Sequence, residues 1–168
     1  MFLKTLFVLF FIELSSRRVH LAGATSRRDS ARVTQQARNL AMTGCLEGKH
    51  ILLRDRDAKF SSPFDEVFRT EGLTVVKTRV RSPSANAFAE RWVGSVRREC
   101  LDHILVFGRR HLQRVLSAYA EHYNRVRPHR GLDLEPPDPG LRAKGTGTKV
   151  CRRDVLGGLI HEYDRSAA

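Results

Sequence analysis

Residues 51–55 read Ile51-Leu52-Leu53-Arg54-Asp55, an apolar run closed by an acid. Residues 82–92 read Ser82-Pro83-Ser84-Ala85-Asn86-Ala87-Phe88-Ala89-Glu90-Arg91-Trp92, a Pro-started helical pattern with a second acid inside it. Asp55 and Glu90 have 34 residues between them. A carboxylate at the C-terminal end of a strand and another on a following helix are what a divalent-metal site for phosphoryl chemistry needs, because Mg²⁺ wants hard oxygen ligands and takes few from the protein. One ligand of such a site is not evident.

On the N-terminal side, Leu6-Phe7-Val8-Leu9-Phe10-Phe11-Ile12 after Lys4 imitates a short signal peptide, with Ala22-Gly23-Ala24 as a nominal cleavage site. Glu13 ends the run, Arg17 and Arg18 precede that site, and the run falls short of the about 20 residues of a membrane span. A strand over residues 5–13, buried on both faces, explains it better. A polar turn, Leu14-Ser15-Ser16-Arg17, leads to a half-exposed strand over residues 18–23, giving a hairpin. Val33, Ala37, Leu40 and Ala41 recur at helical spacing up to Gly44, so a helix crosses over before a strand from His50 to Arg54.

On the C-terminal side, Ser62 as N-cap, Pro63 at the first helical position and inward-facing Phe64, Val67 and Phe68 define a helix that Gly72 closes. Thr74 to Val80 is a strand. The Glu90 helix buries Ala89, Trp92, Val93, Val96 and Cys100 and carries Glu90, Arg97 and Arg98 on another side. A last helix from Arg109 has Leu112, Val115, Leu116, Tyr119 and Tyr123 in one apolar stripe, which are core positions. Arg125 to Leu132 ends it, Pro136-Pro137-Asp138-Pro139-Gly140 forms an extended linker, and residues 1–139 make one domain. Residues 140–168 are a basic tail, with Val155 to Tyr163 as a small strand or appendage.

The chain has 168 residues, enough for a real core, and 30 Lys and Arg against 18 Asp and Glu give a net charge of +12. That balance favours a polyanion, nucleic acid first, with a solvated basic surface as the bland alternative. Cys45, Cys100 and Cys151 are odd in number and far apart, which speaks against a disulfide framework or zinc knuckle and suits a reducing cytoplasm.

Leu53-Arg54-Asp55-Arg56-Asp57-Ala58-Lys59-Phe60 resembles the second-aspartate motif of integrase-core transposases. Ser84 to Arg91 resembles their Asn-x-x-x-Glu helix, and Tyr123-Asn124-x-x-Arg127-Pro128-His129 their closing motif. The strand-strand-helix-strand-helix-strand-helix-helix order is similar to the retroviral-integrase-like branch of the ribonuclease H superfamily. The resemblance implies an α/β fold with a mixed central sheet and flanking helices, and DNA integration or transposition by metal-dependent strand cleavage and transfer. It implies a D,D,E site in which two Mg²⁺ (or Mn²⁺) ions activate a water or 3′-hydroxyl for in-line attack on a DNA phosphodiester. Asp55 and Glu90 would be its second and third ligands. Asp57 competes with Asp55 if strand alternation continues, and Glu90 has a bland reading as a solvated helix residue. Asn86, Arg91, Arg97, Arg98, Arg127 and His129 would face DNA, with Asn86 able to orient Glu90 instead. The family's first aspartate has no counterpart here: of the early acids, Asp29 lies in a polar loop and Glu13 and Glu47 do not fit. The expectation is therefore a chain truncated at its N-terminus, its opening strand missing or incomplete and its activity reduced or absent. A noncatalytic basic DNA-binding remnant is the alternative, and a small secreted basic protein a third. An active form would pair protomers on two DNA ends, with no membrane partner.

Overall fold

The computed structural model describes residues 4–27, 29–78, 83–140 and 148–165, and the backbone alone of residues 83–85. The chain divides into two compact units, one of residues 1–11 and 21–87 and the other of residues 12–20 and 88–168.

In the first unit, β1 (Phe7–Ile12) and β2 (Val19–Thr25) form a hairpin whose tip counts with the second unit. Every residue of β1 is half-buried, so the run expected to be buried on both faces is covered less completely. Helix α1 (Ser30–Ala41) is capped by Asp29, whose carboxylate accepts the Arg32 N–H at 2.7 Å, and buries Val33, Ala37 and Leu40. After it come β3 (Ile51–Arg54), α2 (Ser62–Thr70) and β4 (Thr74–Lys77). The N-cap of α2 is Ser61 rather than Ser62, and no side chain caps it. The strand expected through Val80 is described as far as Lys77, and its last residues lie outside the described set.

β3 and β4 pair in parallel, Leu52 opposite Val75 and Leu53 opposite Val76. Val33 and Ala37 of α1 and Phe64, Val67 and Phe68 of α2 make the core, joined by Leu73 and, more thinly, by Leu9, Phe11, Leu52 and Val75 of the strands. Rings run through it, Phe60 to Phe64 at 4.8 Å and Phe64 to Phe68 at 5.1 Å, each pair adding about 0.5–1.5 kcal/mol beyond burial. Ile51, Leu53 and Val76 lie on the opposite face and stay exposed. Among the described residues the strands form three two-stranded sheets, not one central sheet, because no strand joins β1 to β3.

The second unit is built on α3 (Pro83–Glu99) and α4 (Gly108–Arg125). Trp92, Val96 and Cys100 face inward, and Ser95 with them, whereas Val93 is exposed, so the buried stripe of α3 is narrower than expected. All five expected positions of α4 are buried, and Trp92 meets Tyr123 edge-on at 4.7 Å and Tyr119 at 5.5 Å. Asn124, at the end of α4, does for the hairpin tip what a neighbouring strand would: its side chain accepts the Val19 N–H at 2.9 Å and donates to the Val19 carbonyl at 2.8 Å. The segment from Val155 to Tyr163, expected as a small strand or an appendage, contains a turn. β5 (Val150–Val155) and β6 (Ile160–Arg165) pair antiparallel around Leu156, Gly157 and Gly158, all at positive φ. The buried Glu162 ties this hairpin to α4 through His122 Nδ1 at 2.8 Å, and Arg153 donates to its other oxygen. All three thiols are free: Cys100 is fully buried, Cys45 half-buried with its Sγ–H toward the Leu40 carbonyl at 3.4 Å, and Cys151 exposed on β5.

Candidate active site

Arg54 occupies the inward-facing parity of β3, where an unpaired cation would be costly. It is 5% exposed and forms a fork with Asp65 of α2, Nε to Oδ1 and Nη2 to Oδ2, both at 2.6 Å. The hydrogen bonds from Arg54 hold the Asp65 carboxyl below the usual carboxylate range, against the opposing push of burial. Arg54 Nη1 also donates to the Asp55 carbonyl at 2.8 Å, so the buried ion pair fixes the backbone where β3 releases the chain.

β3 ends at Arg54, and this settles how the two neighbouring acids differ in geometry. Strand alternation does not carry on to Asp57. Instead Asp55 Oδ1 accepts the Asp57 N–H at 3.1 Å, an Asx turn, and Asp57 folds back on Lys59, accepting its N–H at 3.0 Å and its ammonium at 2.6 Å. Arg56 pins the outgoing chain by donating to the Thr78 carbonyl at 2.9 Å. Asp55 is half-buried, and its Oδ2 carries no hydrogen bond among the described residues. Asp57 is committed to a cation; Asp55 is the carboxylate left open.

Glu90 stands exposed on α3 with no hydrogen bond or ion pair among the described residues. Asn86, one turn earlier, and Arg97 and Arg98, about two turns later, are also exposed. Arg91 is exposed beside the Phe88 ring, over which Arg17 lies at 3.7 Å.

Arg127 and His129 have intramolecular roles that their motif does not announce. Arg127 forks onto Glu99, Nε at 2.8 Å and Nη2 at 2.6 Å, and Tyr119 donates its hydroxyl to the same carboxylate at 2.6 Å. Burial pushes the Glu99 carboxyl upward, but the hydrogen bonds from Arg127 and Tyr119 outweigh it and leave it below its ordinary value. Burial, reinforced by the bond to Glu99, pushes the Tyr119 hydroxyl far above the usual phenol range. His129 meets the Tyr123 ring edge-on at 4.4 Å with Nε2 3.1 Å from the Tyr123 carbonyl, and burial lowers its pKa. The closing motif thus clasps the end of α4: Asn124 on the hairpin tip, Arg127 on α3, His129 on Tyr123.

Hard oxygen donors suit Mg²⁺ or Mn²⁺, so Asp55 and Glu90 fit such an ion in kind. They fall short in number. Among the described residues no three His, Cys, Asp or Glu side chains gather as a metal cluster. Two of the early acids are otherwise engaged: Asp29 caps α1, and Glu13 receives the Ser16 hydroxyl at 2.6 Å and His20 Nε2 at 2.9 Å. The described helices include none long and apolar enough to cross a membrane.

Residues 71–137 match the family described as the integrase core domain. An insertion element IS407 protein of 31.7 kDa from Burkholderia multivorans is 30% identical over 84 residues, which are 49% of this chain. The match spans only 30% of that relative's length. Among solved structures, the catalytic core domain of BIV integrase superposes with a TM-score of 0.60 over 77% of this chain and 81% of its own, at 14% identity. A simian T-cell lymphotropic virus intasome, in complex with the PP2A regulatory subunit B56 gamma, gives 0.58 over 96% of this chain and 65% of its own, at 15% identity. Residues 71–137 thus resemble an integrase core domain, and the fold of the chain is similar to that of a retroviral integrase catalytic core.

Proposed function

We propose that this chain serves DNA integration or transposition through divalent-metal-dependent phosphodiester chemistry, with Asp55 and Glu90 as metal-binding carboxylates. The observation that carries the reading is the presentation of Asp55. A buried Arg54–Asp65 fork, the Arg56 contact and the Asx turn hold its backbone, while one carboxylate oxygen stays clear. A ligand held this way loses little conformational freedom on meeting a cation. A bound Mg²⁺ or Mn²⁺ would supply Lewis-acid polarisation of the phosphoryl oxygens and a nucleophile at neutral pH. Exposed Asn86, Arg91, Arg97 and Arg98 would meet phosphates, and Asn86, four residues before Glu90, would instead orient that carboxylate. Arg127 would contribute by tying the end of α4 to Glu99 of α3, and His129 by packing on Tyr123, rather than by open contact. Pairing of copies on two DNA ends and a cytoplasmic setting belong to the same proposal.

With Asp55 and Glu90 as the two carboxylates assigned and no three-ligand cluster among the described residues, slow turnover is expected. The expected result is weak Mn²⁺-dependent cleavage of a duplex oligonucleotide, falling at least about 100-fold in Asp55→Asn and in Glu90→Gln, because losing a ligand forfeits several kcal/mol of charge stabilisation. Mn²⁺-induced broadening of NMR signals around Asp55 supplies a readout independent of activity. Cleavage at the same rate in both variants would sink the assignment. The second reading, a noncatalytic DNA-binding protein, is favoured by the lack of a three-ligand cluster among the described residues and by the charge of +12. It predicts salt-sensitive DNA binding with no metal-dependent product.

A further inference from the structure

Most arginines with resolved partners in the second unit face a carboxylate, as Arg127 does Glu99 and Arg153 does Glu162. The first two turns of α4 break this pattern. Arg109, Arg110 and Arg114 are exposed and make no hydrogen bond or ion pair among the described residues. Arg110 and Arg114 are four apart, as are Arg109 and Gln113, so the four side chains form two adjacent rows on one side of the helix. They line an open hollow of about 520 Å³. Arg114 also borders a second hollow of about 480 Å³, shared with His111 and with Gly157 of the β5–β6 turn. Like charges so spaced repel one another, so folding gains nothing from them.

Immediately before α4, Leu105 and Phe107 are 79% and 68% exposed. The Phe107 ring stacks on His111, centroids 5.8 Å apart and planes within 18°. His111 Nδ1 accepts the Phe107 N–H at 3.0 Å, which holds the imidazole behind the ring. One face of Phe107 is therefore backed and the other is open.

An open aromatic face beside unpaired guanidinium groups matches the chemistry of an unpaired nucleotide, whose base stacks while its phosphates take the cations. We propose that Phe107, Arg109, Arg110 and Arg114 form a single-stranded DNA site: the arginines grip successive phosphates and a base stacks on the free face of Phe107. The inference deepens the DNA-directed reading and rests on it, yet it uses none of the residues assigned to metal chemistry. A duplex keeps its bases stacked on one another, so it engages the arginines but not the ring.

The test is a fluorescence-anisotropy titration of the full chain against a labelled oligo-dT and a duplex of equal length over a NaCl series. Phe107→Ala is expected to weaken oligo-dT binding about 5- to 100-fold, the size of one lost base stack, and to leave the duplex within about twofold. Phe107→Trp restores it. Arg110→Gln with Arg114→Gln weakens both ligands and lowers the single-strand salt slope by about 1.4. Equal losses on both DNAs in Phe107→Ala, or no loss, with an unchanged circular dichroism spectrum, would overturn the proposal. If the unaltered chain binds neither DNA, the DNA-directed reading falls as well. If cleavage responds to Asp55→Asn while Phe107→Ala binds like the unaltered chain, only this inference falls.

Discussion

Asp65→Ala is expected to destabilise the protein by about 3–5 kcal/mol, because it strands the Arg54 guanidinium in the core of the first unit with no counter-charge. The loss is read from the midpoint of urea unfolding. Total stability of a domain this size is about 5–15 kcal/mol, so the variant is left marginal. A merely surface-exposed pair would show less than about 1 kcal/mol, and such a result would mean that the fork is open to water. The pH dependence has a definite sign. The folded pKa of Asp65 lies below its unfolded value of about 3.9, so the pair's contribution is fully present above that value and is lost as pH falls through the folded pKa. The unaltered protein therefore loses stability below about pH 4, and Asp65→Ala loses less over the same interval. Asp55 would suffer in the same variant, since Arg54 holds its carbonyl.

Trp92→Ala is expected to cost a further independent 3–5 kcal/mol, at about the upper end for a single core truncation. Trp92 is 2% exposed and is clamped between Tyr119 and Tyr123, so its removal leaves a cavity bounded by rings that α4 fixes in place. Those rings cannot collapse inward without breaking the Tyr119–Glu99 and His129–Tyr123 contacts. Trp92→Phe, which keeps an aromatic in the slot, recovers part of the loss. Thermal unfolding followed by circular dichroism checks both, and an unchanged midpoint in the alanine variant would mean that the slot is not a packed core.

The helices were the most legible part of the sequence. Tyr119 and Tyr123 fall on the same stripe as Leu112, Val115 and Leu116 because a 3.6-residue period leaves little alternative. Phe64, Val67 and Phe68 followed from the same rule. Val93 escaped it: a stripe drawn one residue too wide includes a side chain that the structure leaves exposed. The hairpin of β5 and β6 was hidden in Val155-Leu156-Gly157-Gly158-Leu159-Ile160, read as one apolar segment although a Gly-Gly pair between two runs is a turn signal. For the proposed site, Asp55 and Glu90 were picked out by their position after a strand and on a helix. Their support was not. Arg54 amid Ile51, Leu52 and Leu53 was a visible clue, since a cation on the inward parity of a strand demands a partner, but nothing local pointed to Asp65 eleven residues on. Arg127 and His129 were read as facing DNA because motif position does not show that the half-buried Glu99 claims Arg127 or that His129 packs on Tyr123.

The three free thiols form a graded set of reporters. Cys151 sits in water on β5 and reacts with an alkylating reagent from the native state, whereas Cys45 answers only when the end of α1 loosens. Cys100 is shut away with its pKa pushed up to about 11 by burial, so almost none of it is thiolate at neutral pH. Mass added at Cys151 marks the native state, and the order in which Cys45 and Cys100 follow records the order in which the end of α1 and the Trp92 layer come apart.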